Sequence, residues 1–159
     1  MTVAVPASAR LCDWEPAFLR ETWRNLWRAL GRDRSVDGRP LTVSGQVYEH
    51  GLGSHTEWDV HYDVAGAFAR FTARVGVDDE VLAAIKPAAD GATKPVGVVF
   101  EVWGDGKVLW KSEPVRSGTA PVPVDVAIPG VRDLALKTAN GPDHQNLGHG
   151  DWIDAMVLR

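Results

Sequence analysis

Residues 98–111 read Val-Val-Phe-Glu-Val-Trp-Gly-Asp-Gly-Lys-Val-Leu-Trp-Lys: an alternating run, a turn and a second alternating run. Asp-Gly between two such runs is a strong short-range signal for a β-hairpin. Taken as a three-residue loop over Gly104, Asp105 and Gly106, the turn sets 103 opposite 107, 102 opposite 108, 101 opposite 109 and 100 opposite 110. Val98, Phe100, Val102, Val108 and Trp110 then share a buried face, and Glu101, Trp103, Lys107, Leu109 and Lys111 share the other. Such a hairpin belongs to an antiparallel sheet that is apolar on one side and solvated on the other.

The same period of two extends in both directions from the hairpin. Leu41, Val43, Gly45 and Val47 alternate with Thr42, Ser44 and Gln46, and Trp58, Val60, Tyr62 and Val64 alternate with Asp59, His61 and Asp63. Phe71, Ala73, Val75 and Val77 form a third series, and further strands are predicted over 122–128, 132–138 and 152–158. Two sheets of this kind must pack face to face to bury their apolar sides, so the predicted fold is an all-β antiparallel β-sandwich. The chain has 159 residues, 45% of them hydrophobic and 24% charged, which suits one domain with a real core. Residues 1–10 are expected to be disordered and the module to span 11–159.

One segment has a different period. Leu19, Trp23, Leu26, Trp27 and Leu30 recur at helical spacing, with Pro16 suited to a first turn and Gly31 to a stop, so a short N-terminal helix is predicted over 16–30. Arg20, Arg24 and Arg28 form a basic stripe beside it, read as a solvated flank. Residues 78–95 and 139–151 carry no strand pattern and exceed the usual length of a connection, which makes them the expected functional loops.

Composition narrows the chemistry. Seventeen bases against 21 acids give a net charge of −4, so broad nucleic-acid binding is disfavoured. Cys12 is the one cysteine and cannot form a disulfide within the chain. The first residues lack a basic n-region, so no signal peptide is expected in this sequence. No Walker loop, dinucleotide fingerprint or metalloprotease motif occurs. Carboxylates are plentiful, but nothing in the sequence marks the perturbed pair that acid–base hydrolysis needs, so a binder is expected and not an enzyme.

Four strings carry a resemblance: residues 45–55 (GQVYEHGLGSH), 71–79 (FTARVGVDD), 99–112 (VFEVWGDGKVLWKS) and 151–155 (DWIDA). In this order and spacing they resemble the NPCBM domain, the carbohydrate-binding module associated with family 98 glycosyl hydrolases and classed as carbohydrate-binding module family 51. The resemblance covers about Leu11 to Arg159. It implies a galactose-binding-like jelly roll, non-catalytic, that binds galactose-containing glycans and targets an attached enzyme, with a structural calcium ion. It also implies an extracellular or periplasmic setting within a larger protein. One departure stands out: the family's closing motif reads Asp-His-Ala-Asp-Trp, and here Gly148-His149-Gly150-Asp151-Trp152 lacks one carboxylate and has a freer backbone.

With the resemblance as guide, the sugar-contacting residues are expected to be His55, Trp58, His149, Asp151 and Trp152, because indole faces stack on pyranose rings and loop His and Asp side chains fix hydroxyl stereochemistry. Trp58 and Trp152 fit equally well as core residues, and Trp103, facing outward by pattern, is the alternative stacker. For calcium, Asp33 and Asp37 before the first strand are expected to meet Asp154 from the last. The alternative function is a protein-interaction or interdomain module with the same fold and no sugar site.

Overall fold

The computed structural model describes residues 4–21 and 29–159. Fourteen strands are present among them: β1 (Ser8–Arg10), β2 (Phe18–Glu21), β3 (Gly31–Arg32), β4 (Leu41–Val43), β5 (Gln46–Tyr48), β6 (Gly51–His55), β7 (Trp58–Asp63), β8 (Arg70–Val77), β9 (Gly97–Gly104), β10 (Lys107–Lys111), β11 (Val115–Arg116), β12 (Val122–Ala127), β13 (Asp133–Asn140) and β14 (His149–Leu158). One sheet has the order β12-β8-β14-β6-β3, with β1 added to β14; the other runs β10-β9-β13-β7-β2, with β11 added to β9. All of these pairings are antiparallel. The predicted β-sandwich is therefore the observed fold, and its alternating residues supply the core.

Between the sheets lie Phe71 and Val75 of β8, Val98, Phe100 and Val102 of β9, Leu134 and Leu136 of β13, and Val60 and Tyr62 of β7, all buried. Trp152 from β14 joins the two layers. Its ring meets Phe100 edge-on at 5.3 Å and Phe71 at 6.1 Å, and its Nε1–H donates across the sandwich to Thr138 Oγ1 at 3.1 Å. A buried indole gains both its area and a partner for its one polar group.

Four expectations are revised. Residues 18–21 are not helical: they form edge strand β2 on β7, with Phe18 opposite His61 and Arg20 opposite Asp59. Pairing with an open sheet edge satisfies the backbone and lets Leu19 pack on the core, so tertiary contact overrides the helical spacing. The rest of the predicted helix through Arg28, with Trp23, Trp27, Arg24 and Arg28, lies outside the described residues. Order also begins ahead of residue 11, because Ser8–Arg10 pair with the C-terminal strand and the Arg159 N–H donates to the Ala7 carbonyl.

The 98–111 hairpin forms with a tighter turn. Lys107 pairs with Gly104 and Val108 with Trp103, leaving Asp105 (φ 48°) and Gly106 (φ 80°) as a two-residue turn of left-handed residues. A bulge at Leu109 then returns Trp110 opposite Val102, so Trp110 packs on the core as expected while Val108 is exposed. Residues 41–47 likewise divide into β4 and β5 around Ser44 and Gly45, both left-handed. This small hairpin lies on the outer side of β8: a Cβ at Gly76 would sit 2.6 Å from Val43 Cγ1.

Candidate functional site

The two long patternless segments meet at one end of the sandwich. After β8 the chain makes a short 3₁₀ turn, Asp79–Ala84, and then runs irregularly to β9; the second loop links β13 to β14. Gln145 clasps the first loop from the second, accepting from the Lys86 N–H at 3.0 Å and donating to the Lys86 carbonyl at 3.1 Å. Arg116 ties Asp143 (3.2 Å) to the Pro95 carbonyl (3.1 Å). Asp143, Gln145 and Asn146 all hold left-handed φ values of 57°, 47° and 56°, conformations that side-chain-bearing residues seldom adopt and that cluster at functional sites.

Between the loops lies an open cleft of about 810 Å³, walled by Lys86, Lys94, Asp143, His144, Gln145 and Asn146. Ammonium, carboxylate, imidazole and amide groups share one concavity there with the apolar side chains of Ala84, Pro87, Ala88, Ala92 and Leu147. Such a set provides donors and acceptors in pairs, as a polyhydroxylated ligand requires. No phenylalanine, tyrosine or tryptophan is among its lining residues.

Of the five residues expected to contact sugar, His55 alone borders this region, half-buried, with its Nε2 3.3 Å from the Asn146 carbonyl oxygen. Trp58 and Trp152 are each 1% exposed and have no free ring face, so the core reading of both holds. His149 lies beneath the cleft rather than in it. It is buried, opposite His55 across the β6–β14 pair, and its Nδ1 donates to Glu80 at 2.7 Å. Glu80 accepts a second bond from the Ser35 hydroxyl at 2.6 Å. Burial alone would raise the Glu80 carboxyl, but the bonds from His149 and Ser35 outweigh it and hold the group below the usual carboxylate range.

Asp151 is also buried, and neither of its oxygens meets a hydrogen-bond donor. Burial and the facing Asp78 carboxyl push it well above the ordinary value. Asp78 is itself raised by burial, although the Glu80 and Thr42 N–H groups and Asp151 counteract this. Two such carboxyls in contact share one proton between them. The Asp78 side chain meanwhile anchors the β4–β5 hairpin at Thr42, and Asp79 binds the Ser44 and Gly45 N–H groups at 3.0 and 2.8 Å. These residues brace the pole on which the loops stand.

The three aspartates expected to hold calcium do not converge. Asp33 groups with Cys12 and His50, and Asp37 with Glu80 and His149, the ligand atoms of each set lying within 4.8 Å of one another. Asp154 joins neither set among the described residues; it pairs with Arg74 at 2.9 Å. Asp37 stands by His149, and Asp154 follows five residues later on the same strand, about 16 Å away at ~3.3 Å per residue. One ion cannot bridge that distance. Neither set combines more than two carboxylates with its histidine, fewer side-chain oxygens than the about six or more oxygens calcium usually takes. The Cys12 thiol, pushed up to about 12 by burial and by Asp33, holds its proton.

The two glycines of the closing motif prove to be close-packed. A Cβ at Gly150 would lie 2.7 Å from Thr138 Cγ2 and 2.9 Å from Phe100 Cε1, so the motif is tight where a freer backbone was expected. Lys86, Gln145 and Asn146 were missed individually, though the length of both loops marked their region. The Glu80–His149 pair spans 69 residues of sequence and gave no local signal.

The NPCBM/NEW2 domain model matches residues 10–158. Over 131 residues, 82% of this chain, the sequence is 31% identical to a protein assigned as an endo-alpha-N-acetylgalactosaminidase in Renibacterium salmoninarum. Over 126 residues, or 77%, it is 30% identical to alpha-1,3-galactosidase B of Akkermansia muciniphila. The chain spans only 8% and 14% of the lengths of these two relatives. Among solved structures, the CBM51 of Clostridium perfringens GH95 in complex with methyl-galactose superposes with a TM-score of 0.75 and 25% identity, covering 95% of this chain and 99% of that one. The CBM51-2 and INT domains of Clostridium perfringens ZmpB in complex with GlcNAc give a TM-score of 0.80 at 19% identity, covering 96% of this chain and 31% of the other, a likeness of fold.

Proposed function

The chain belongs to the NPCBM/NEW2 domain family of non-catalytic carbohydrate-binding modules, and from that premise we propose that the cleft between its two long loops recognises galactose-containing glycans. The observation that carries the proposal is the cleft itself: two loops clasped by Gln145, the second with left-handed residues at Asp143, Gln145 and Asn146, together presenting Lys86, Lys94, Asp143, His144 and Asn146 to one open space. The methyl-galactose complex of the Clostridium perfringens CBM51 supports the sugar class, and the two enzyme relatives support attachment to a catalytic domain. On this reading the module works outside the cell as part of a larger glycosidase, holding the enzyme near substrate. No helix among the described residues is long and apolar enough to cross a membrane.

Binding should be weak and hydroxyl-directed, because Lys86, Lys94, Asp143, Gln145 and Asn146 offer hydrogen-bonding groups and no indole or phenyl ring lines the cleft. A glycan array probed with the isolated chain tests the proposal. Retention on galactose- or N-acetylgalactosamine-terminated glycans, reduced by Gln145→Ala with His144→Ala, supports it. A silent array with folded protein, or binding indifferent to those two substitutions, contradicts it.

A further inference from the structure

The outer face of the β10-β9-β13-β7-β2 sheet carries a second constellation, remote from the loops. Register aligns Phe18, His61, Ala135, Trp103 and Val108 in one row across five strands. The neighbouring row is Arg20, Asp59, Lys137, Glu101 and Lys111, alternating in charge. In the first row a methyl group separates two rings, and the result is a groove of about 260 Å³ with Ala135 on its floor and His61 and Trp103 as walls. Those walls stand two strands apart, about 10 Å between backbones.

Charge within the groove is internally balanced. Arg20 pairs with Asp59 at 2.7 Å, and His61 Nδ1 lies 2.9 Å from Asp133; with Lys137 the lining holds two cations and two carboxylates. Nothing there selects a charged ligand. In a neutral His61 ring, donation from Nδ1 to the Asp133 carboxylate leaves Nε2 an acceptor. That Nε2 and the Nε1–H of Trp103 are both buried and both without a hydrogen-bond partner. One acceptor and one donor therefore stand unmet on facing walls, a cost that ordinary core packing avoids. The Lys137 ammonium overhangs the Trp103 ring at 5.9 Å, on a long side chain that can yield the ring face to another occupant. Phe18, 52% exposed, stacks on His61 at 3.9 Å and extends the apolar side of the groove.

We propose that this groove is a second carbohydrate subsite, taking one neutral pyranose residue. The apolar ring face would lie on Trp103, and hydroxyl groups, each both donor and acceptor, would meet His61 Nε2, Trp103 Nε1–H and the Asp59–Arg20 pair. The subsite shares the ligand class of the loop cleft and none of its residues. A module with both would hold a branched or repeating glycan at two points, raising avidity without tighter contacts at either.

Nuclear magnetic resonance of the indole N–H groups tests this, with the Trp103 signal identified by its loss in Trp103→Phe. The probes are methyl β-galactoside and methyl N-acetyl-β-glucosaminide. A saturable shift of the Trp103 signal is expected with at least one of them, weakened at least about tenfold by Ala135→Val, which fills the floor, and kept in the His144→Ala, Gln145→Ala double variant. Lys137→Ala, a change at a half-buried position that uncovers the ring, is expected to tighten the same titration and serves if Ala135→Val fails to fold. A Trp103 signal unmoved by both sugars overturns the inference, whether or not loop-cleft resonances respond. So does a shift that survives Ala135→Val and disappears in the double variant, since that reports the cleft at a distance.

Discussion

Asp151 is buried, and its carboxyl is pushed well above the ordinary carboxylate range. Its proton is held more tightly in the folded state than in the unfolded chain, where an aspartate titrates near ~3.9. Between that value and the raised one the native state binds more protons, so this group's contribution is full in acid and is lost as pH rises. Glu80 acts in the opposite direction: its lowered value stabilises the fold above the ordinary carboxylate range, and that contribution is lost as pH falls through it. Comparing Asp151→Asn with the parent chain cancels the Glu80 effect. The variant's amide supplies a donor to Asp78 at every pH, so its melting temperature relative to the parent is expected to climb as pH rises above the ordinary carboxylate range. Melting curves by circular dichroism check this, and a difference independent of pH would remove the shared proton from the account. At the same scale, Trp152→Ala should cost ~3–5 kcal/mol in denaturant unfolding, because it empties the contact between the sheets and strands Thr138 Oγ1.

Elements were legible where periodicity of two was unbroken. Residues 58–63 and 70–77 fold as strands with the predicted faces inward, since alternation dictates which side chains a pleated strand buries, and 133–140 folds as a strand where one was predicted over 132–138. Legibility fell where one residue breaks the alternation. In the β9–β10 hairpin the bulge at Leu109 offsets the register after a two-residue turn, and nothing in Lys-Val-Leu-Trp signals it. The turn itself is testable: Gly106, at φ 80°, should lose about 1 kcal/mol on change to Ala in chemical denaturation. Asp105→Ala should add to that loss, because the Asp105 carboxylate accepts from the Arg132 and Asp133 N–H groups at 3.1 and 2.9 Å. The supposed helix shows the converse failure. Leu19 fits a helical stripe and an edge strand alike, and only the open side of β7 decides between them.

Across the whole molecule, the sequence pattern told which tryptophans sit on apolar faces but not which faces the second sheet covers. That is why Trp58 and Trp152 were weighed as sugar platforms and are core, while Trp103 stands on the outer face at the groove. The cleft residues converge from loops separated by about 50 residues, and the Gln145–Lys86 clasp that orders them spans 59. Such convergence is a property of topology: antiparallel strands β8, β9, β13 and β14 deliver both loops to one pole. The family resemblance, by contrast, was readable from four short strings and agrees with the match over residues 10–158.

The central claim is that the loop pole binds the sugar, and a crystal structure of the chain soaked with methyl β-galactoside tests it most directly. The account predicts a pyranose ring between Lys86 and Lys94 on one side and His144 to Asn146 on the other, hydrogen-bonded to Gln145 or its neighbours. A galactoside held elsewhere, with that cleft filled by solvent alone, would contradict it.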